Sequence, residues 1–174
     1  MKLPTFKYNP NPIKLGVIME EETICPVCKK KRDFVYEGPF FSVEEIEGIC
    51  PWCIADGSAA KKYDGEFQDA HSCEEVDQEA YVDELIYRTP GYTGWQQEYW
   101  LSHCGDFCSI IDYVGWDEIK HLEVELKDDI EKICEDYHLT YQEFKDTLEV
   151  GGDLQGYLFK CNCCKQHRLH ADMA

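Results

Sequence analysis

Closely spaced cysteines constrain this chain more than any other feature of its sequence. The 174 residues include 11 cysteines, and two pairs have the form Cys-X-X-Cys, Cys25 with Cys28 and Cys50 with Cys53. A turn of this form points two thiolates at one metal ion, and two such turns complete a tetrahedron, a spacing typical of zinc ribbons. We therefore expect Cys25, Cys28, Cys50 and Cys53 to hold one Zn²⁺.

A second group of cysteines lies farther along the chain. Cys104 and Cys108 form a pair with three residues between them, and Cys161 and Cys164 frame another Cys-X-X-Cys. Together Cys104, Cys108, Cys161 and Cys164 predict a second four-thiolate Zn²⁺ site, closed by a long loop. The spacing leaves open whether Cys163 replaces Cys161 or Cys164. Three nearby histidines are alternative fourth ligands: His103, His167 and His170.

The cellular compartment bears on what the cysteines do. Residues 1–22 lack the apolar stretch of a signal peptide, and no run of residues is apolar enough to span a membrane. We expect a cytoplasmic protein, in which thiols stay reduced and bind metal rather than form disulfides. Apart from Cys163, two cysteines fall outside the predicted sites: Cys134 fits a buried helix position, and Cys73 an ordinary thiol.

The strongly acidic composition predicts the kind of partner. Seventeen basic residues face 35 acidic ones, a formal net charge of -18. Such a surface repels nucleic acid and anionic lipid and attracts a basic protein, although acidity can also serve solubility alone. Candidate contact residues are Tyr92, Trp95, Trp100 and the pairs Glu74/Glu75 and Asp128/Asp129. The alternative is burial for the aromatic residues and a solvated face for the acidic pairs. The oligomeric state is left open.

The order of patterns along the chain predicts an α+β fold. Residues 1–72 form an extended N-terminal arm and a zinc-ribbon-like lobe, and residues 73–174 a helical lobe closed by the second zinc site. Apolar periodicity predicts a helix over 76–88, and one helix or two joined ones over 117–137. Thr140 and Glu143 match a capping box that opens a further helix. The patterns also predict a short helix within 92–101 and a strand over 154–160.

Two other classes of function find weaker support. Asp69 with His71, or Asp106 between two predicted ligands, would offer acid–base groups to an enzyme. The sequence contains no phosphate-binding loop, nucleophile elbow or HExxH motif, so we assign no catalytic residue. The basic run KKKR at 29–32 would suit a nucleic-acid module, but the overall charge opposes it.

Long stretches of the chain resemble the CbrC family of bacterial proteins. The resemblance rests on FKYNPNPI at 6–13, GICPWCIADGSAAKKYDGEFQD at 48–69, YRTPGYTGWQQEYWLSHCGDFC at 87–108 and LFKCNCC at 158–164. It covers about Leu3 to Asp172 and implies that Cys161 and Cys164, rather than Cys163, are ligands. The family name also implies colicin tolerance or immunity, with a basic nuclease toxin as a possible partner. A zinc-stabilised enzyme or a stress-response scaffold are the alternatives.

Overall fold

The computed structural model describes residues 2–174 as a mixed α+β fold, with one three-stranded sheet and three two-stranded pairs. The strands are β1 (Ile18–Met19), β2 (Thr23–Ile24), β3 (Lys31–Arg32), β4 (Val35–Tyr36), β5 (Ser102–His103), β6 (Asp106–Phe107), β7 (Ser109–Val114), β8 (Leu154–Lys160) and β9 (His167–Met173). The helices are α1 (Pro51–Ala55), α2 (Ser58–Tyr63), α3 (Glu79–Arg88), α4 (Trp116–Ile119), α5 (Lys127–Asp136) and α6 (Tyr141–Thr147). The α+β class predicted from the sequence is confirmed.

The three-stranded antiparallel sheet organises the second half of the chain. Its order is β7-β8-β9, so β8 pairs on both sides and coincides with the predicted strand 154–160. Tyr157 lies opposite Tyr113 on β7 and His170 on β9. Because side chains alternate between the faces of a strand, β8 contributes to a hydrophobic cluster on each face of the sheet.

One hydrophobic cluster joins the N-terminal half to the sheet. It includes the arm residues Phe6 and Tyr8, the helix residue Leu85, and Tyr157 and Phe159 of β8. The arm is held by Asp106, which accepts a hydrogen bond from the Tyr8 hydroxyl at 2.7 Å and pairs with Lys7 at 2.8 Å. The cluster contains residues from both predicted lobes, 1–72 and 73–174. The division into these two lobes stays a prediction, and residue 1 lies outside the described residues.

The other face of the sheet carries the helices α4, α5 and α6. Their apolar side chains pack with those of the strands in a second cluster: Val114, Ile119, Leu126, Ile130, Ile133, Phe144, Leu148, Leu154, Leu158, Leu169 and Ala171. The segment 117–137, predicted as one helix or two joined ones, contains two helices, α4 and α5, with a 3-10 turn at Lys120–Leu122 between them. At the break, the Glu125 carboxylate accepts a hydrogen bond from the His167 amide at 2.7 Å, which ties the turn to β9. No helix within residues 2–174 is long and apolar enough to cross a bilayer.

The predicted short helix within 92–101 is wrong. Residues 92–98 form a loop. The backbone amides of residues 93–96 donate to side chains instead of to carbonyls of a helical turn. The Thr93 amide donates to the Tyr113 hydroxyl at 3.0 Å and the Gln96 amide to the Asp172 carboxylate at 3.0 Å. Polar side chains on the sheet therefore replace the helical hydrogen bonds.

The capping box at the start of α6 is confirmed. The Glu143 amide donates to the Thr140 hydroxyl at 3.2 Å, and the Thr140 amide donates to the Glu143 carboxylate at 2.8 Å. These two bonds satisfy backbone amides that the first turn of a helix leaves without partners.

We expect Thr140→Ala to lower the free energy of unfolding by about 1 kcal/mol, because the cap is lost. Urea denaturation followed by circular dichroism measures this change. Thr147→Ala, at the last residue of α6, is the matched control and should stay within about 0.5 kcal/mol of the parent. Equal losses for the two variants would contradict a capping role for Thr140.

Candidate metal centres

The four cysteines of the first predicted site lie together, and we call them centre 1: Cys25, Cys28, Cys50 and Cys53. Cys25 and Cys28 stand in the turn between β2 and β3. Cys50 is the residue before α1, and Pro51 starts the helix, where a missing amide hydrogen has no cost. The second Cys-X-X-Cys is therefore the first turn of a helix, whereas the first is a hairpin turn.

The sulfur positions of centre 1 fit a tetrahedral metal ion. The Sγ atoms of Cys25 and Cys53 are 3.9 Å apart, as are those of Cys28 and Cys50, and all four lie within 4.8 Å of one another. Zn–S bonds of about 2.3 Å place tetrahedral sulfurs about 3.8 Å apart. All eleven cysteines are free thiols. The centre is suited to a metal ion rather than a disulfide.

The sulfurs of centre 1 differ in how readily they ionise without a cation. A hydrogen bond from the Cys50 thiol lowers the pKa of Cys25 to about 4, and the same bond raises the pKa of Cys50. Burial raises the pKa of Cys53 to about 11. A divalent cation would stabilise all four thiolates, so metal binding would release protons. The guanidinium of Arg32 lies 4.7 Å from the centroid of the Trp52 ring and 3.9 Å from the Cys28 sulfur, adding positive charge beside the centre.

A second cluster, centre 2, consists of His103, Cys104, Cys161 and Cys164. The His103 Nδ1 atom lies 3.2 Å from the Cys104 sulfur and 3.3 Å from the Cys164 sulfur. A tetrahedral zinc with one nitrogen ligand would place such atoms about 3.6 Å apart. The four ligand atoms lie within 4.8 Å of one another, so these residues could hold a metal ion.

Each of the two centres contains a backbone turn of the same type. The Cys25 amide donates to the Lys30 carbonyl at 3.0 Å, and the Cys161 amide donates to the Gln166 carbonyl at 2.8 Å. In each turn the lysine after the second cysteine is left-handed, with φ of 58° at Lys29 and 69° at Lys165. Amides inside each turn also point at the first sulfur of the pair. The two Cys-X-X-Cys-Lys segments are therefore equivalent turns, and each could supply two ligands to a metal ion.

Cys108, which the sequence predicted as a ligand, does not lie in centre 2. His103 occupies the fourth position instead. Because β5 and β6 are joined by a two-residue turn, Ser102 pairs with Phe107, and Cys108 comes level with Leu101. Cys108 is fully buried, and burial raises its pKa to about 12, so the thiol stays neutral. The hairpin register, rather than the sequence spacing, decides which residues meet at the turn.

The signal for His103 was present in the sequence but not decisive. Cys104 and Gly105 form the two-residue turn, with φ of 56° and 75°. Such turns require two residues with positive φ and usually contain Asn-Gly. Read as a hairpin turn, Cys104-Gly105 would have placed His103 at the tip and Cys108 back in the core.

Three side chains that the sequence offered as alternative ligands do not belong to centre 2. Cys163 is exposed, and its amide donates to the Cys161 sulfur at 3.3 Å. The His167 ring lies 3.2 Å from the Glu125 carboxylate. The His170 ring stacks on Tyr157 with centroids 5.8 Å apart. None of the three joins the cluster.

An ion-pair network fixes the strand that carries His103. The Arg168 guanidinium pairs with Asp129 at 3.0 Å and Glu74 at 3.1 Å and donates to the Ser102 carbonyl at 2.6 Å. The Ser102 amide donates to Glu74 at 2.6 Å. Burial alone would raise the pKa of Glu74, but Arg168 and Ser102 hold it below its usual value. These bonds set the position of the residue next to His103.

The sulfurs of centre 2 differ in acidity. Burial would raise the pKa of Cys161, but backbone amides of the turn outweigh it and lower the pKa to about 6. Hydrogen bonding to Cys164 raises the pKa of Cys104 to about 12. Of these two sulfurs, Cys161 ionises first, and the Cys104 thiol would need a cation to become a thiolate.

The remaining predicted residues have structural positions. Tyr92 and Trp100 are fully buried, while Trp95 is half-exposed. The Asp69 carboxylate accepts hydrogen bonds from the His71 amide and the Ser72 hydroxyl, both at 2.9 Å, and so closes a turn. Two members of the acidic pairs, Glu74 and Asp129, are bound to Arg168 as described above.

The fold and these clusters define an α+β protein with two four-residue sites that could hold metal ions. The chain belongs to the uncharacterised protein family UPF0167, whose model matches residues 3–173. Similar proteins are UPF0167 protein Mb2317 of Mycobacterium bovis and UPF0167 protein MT2352 of Mycobacterium tuberculosis, each 40% identical over 99% of this chain and 95% of the relative. UPF0167 protein PA1536 of Pseudomonas aeruginosa is 38% identical over 98% of this chain and 97% of its own length. No solved structure matches the chain.

The comparisons overturn the resemblance to the CbrC family. The matching family model and these relatives bear the UPF0167 name, and none of them is linked to CbrC. The expectation of colicin tolerance or immunity rested on that resemblance and is withdrawn with it.

We expect Cys164→Ser to reduce the metal content from two ions per chain to one, as counted by native mass spectrometry. Cys108→Ser and Cys163→Ser should both retain two ions, because neither sulfur lies in a cluster. Loss of one ion from Cys108→Ser would return that residue to the ligand set.

Removing a ligand from centre 1 should be costly for folding. Cys50→Ser is expected to lower the free energy of unfolding by more than about 4 kcal/mol, the range reached when a metal site is lost. Chemical denaturation measures this, with Cys134→Ser on α5 as the control. An equally stable, fully loaded Cys50→Ser protein would contradict the assignment of Cys50 as a ligand.

Proposed function

We propose that this chain is a zinc-dependent protein-binding module, in which two structural zinc centres support an acidic surface that binds a basic protein partner. The observation that carries the zinc assignment is the 3.9 Å spacing of paired sulfurs in centre 1. Thiolate and imidazole ligands in a tetrahedral arrangement favour zinc over the harder cations that oxygen ligands select.

The composition of both centres supports a structural role for the metal. Each cluster supplies four protein ligands, so a bound zinc has no open position for water or substrate. Catalytic zinc sites keep such a position free. The binding energy of zinc would therefore stabilise the fold instead of activating a molecule.

The helical segment 116–153 carries the acidic surface. Its 38 residues contain 13 carboxylates and 4 lysines, a net charge of -9 that is half of the charge of the chain. All of these carboxylates except Asp129 are exposed. A concentration of one charge on one segment favours fast association with an oppositely charged protein.

An apolar groove on this segment offers an anchor within the acidic surface. Val124 is 91% exposed and Tyr141 39% exposed, and both line a groove of about 330 Å³. Glu123, Lys127 and Glu131 form the rest of its lining. Apolar side chains surrounded by charged ones are typical of a protein contact, where the centre supplies affinity and the rim specificity. We therefore expect a basic segment with an apolar side chain as the occupant.

Charge neutralisation on α5 tests the proposal. The probe is a fluorescent amphipathic peptide of lysine and leucine in 0.15 M salt, measured by anisotropy. The triple variant Asp128→Asn, Glu131→Gln and Glu135→Gln should weaken binding about tenfold, since exposed charges contribute up to about 1 kcal/mol each. Equal charge removal at Glu20, Glu21 and Glu22 is the matched control and should change binding less than about twofold.

An apolar substitution separates the groove from the charge. Val124→Ser leaves the net charge unchanged and should weaken peptide binding, whereas Val43→Ser at another fully exposed valine should not. Equal weakening by the two charge variants, with no effect of Val124→Ser, would contradict a docking surface and indicate diffuse attraction.

A further inference from the structure

The two centres differ in their exposure to solvent. In centre 1, Cys25 and Cys50 are fully buried, Cys53 is 2% exposed, and Cys28 is partly exposed. In centre 2, Cys104 and Cys164 are exposed, and only Cys161 is buried. An incoming ligand must reach the metal or its thiolates before it can replace them, so solvent access controls how readily each ion leaves.

Short elements hold the two halves of centre 1. The turn with Cys25 and Cys28 is flanked by β2 and β3, which pair over only two residues each. The other half begins α1, a helix of five residues. Elements of this length are marginal alone, so the metal itself is needed to hold them together. Loss of that metal should therefore unfold this part of the chain.

Both halves of centre 2 have supports that do not involve a metal ion. Cys161 and Cys164 stand in the turn between β8 and β9, which pair over seven residues from Leu154 to Lys160. On the other side, Glu74 and Arg168 hold Ser102 beside His103 through the hydrogen bonds described above. The ligand positions should therefore persist when the metal leaves.

The turn of β5 and β6 also leaves space for an incoming molecule. A Cβ placed on Gly105 would meet no atom within 4 Å, and the neighbouring Cys104 is exposed. A chelator or a free thiol can thus approach the ligands of centre 2 without displacing protein. At centre 1 the only partly exposed sulfur is that of Cys28, and the other three are buried.

We propose that centre 2 is an exchangeable zinc site, which gives up and takes up Zn²⁺ in the folded protein while centre 1 keeps its ion. The inference rests on the proposed zinc binding of both centres. The ion leaves as Zn²⁺ to thiolate or aminocarboxylate ligands in solution, and the freed protein ligands bind protons from water. No change of oxidation state is involved.

Zinc release to the chromophoric chelator 4-(2-pyridylazo)resorcinol tests this proposal on the full chain loaded with two zinc ions. One ion should be released about tenfold or more faster than the other, because only the buried centre needs local opening. Far-UV circular dichroism should stay unchanged through the fast phase and fall with the slow phase. Added Zn²⁺ should refill the fast site without a refolding step.

Variants identify the site behind each phase. Cys164→Ser should abolish the fast phase and keep the slow one, and His103→Ala, on the other half of centre 2, should do the same. Cys163→Ser is the control, because this exposed thiol lies between two ligands but outside the cluster, and should retain both phases.

Three results would overturn the proposal. Release of both ions at one rate, or release only together with loss of circular dichroism, contradicts exchange and leaves the proposed structural zinc binding intact. A chain that never carries more than one zinc ion overturns both the exchange and the assignment of centre 2.

Discussion

Much of this structure depends on a hydrogen-bonded backbone turn that holds two cysteine sulfurs on one side. In both Cys-X-X-Cys-Lys segments the amide of the first cysteine bonds across the turn, and the lysine adopts a left-handed backbone. This arrangement brings two sulfurs to one side and aims amides at the first of them. The two hairpins then need only one further pair of ligands each to complete a metal centre.

The strand β8 connects these centres to the rest of the molecule. Cys161 follows its last residue, while Leu154 and Leu158 pack against the helices on one face of the sheet. On the other face, Tyr157 and Phe159 belong to the hydrophobic cluster that also contains the buried cysteines of centre 1. The single strand β8 therefore connects centre 2 to the acidic helical segment, where the proposed partner would bind.

Carboxylates serve two physical roles in this strongly acidic chain. A few are partly buried and neutralised, as Glu74 and Asp129 are by Arg168, and these fix the position of strands and helices. Most others are exposed, and their mutual repulsion is tolerated because solvent screens it. The formal charge alone does not distinguish the two roles, since only contacts reveal which carboxylates have a cation beside them.

The sequence by itself determined the features that depend on residues close together. Centre 1, the capping box at Thr140 and the strand 154–160 were all predictable, because short motifs and periodicity encode them. Tertiary structure alone decided that His103 rather than Cys108 meets the second cysteine turn, since the hairpin register sets which residues face each other. It also decided that residues 92–98 form a loop, because their amides bond to Tyr113, Tyr157 and Asp172 on distant strands. Local spacing fixes local geometry, whereas partners far apart in sequence are selected by packing.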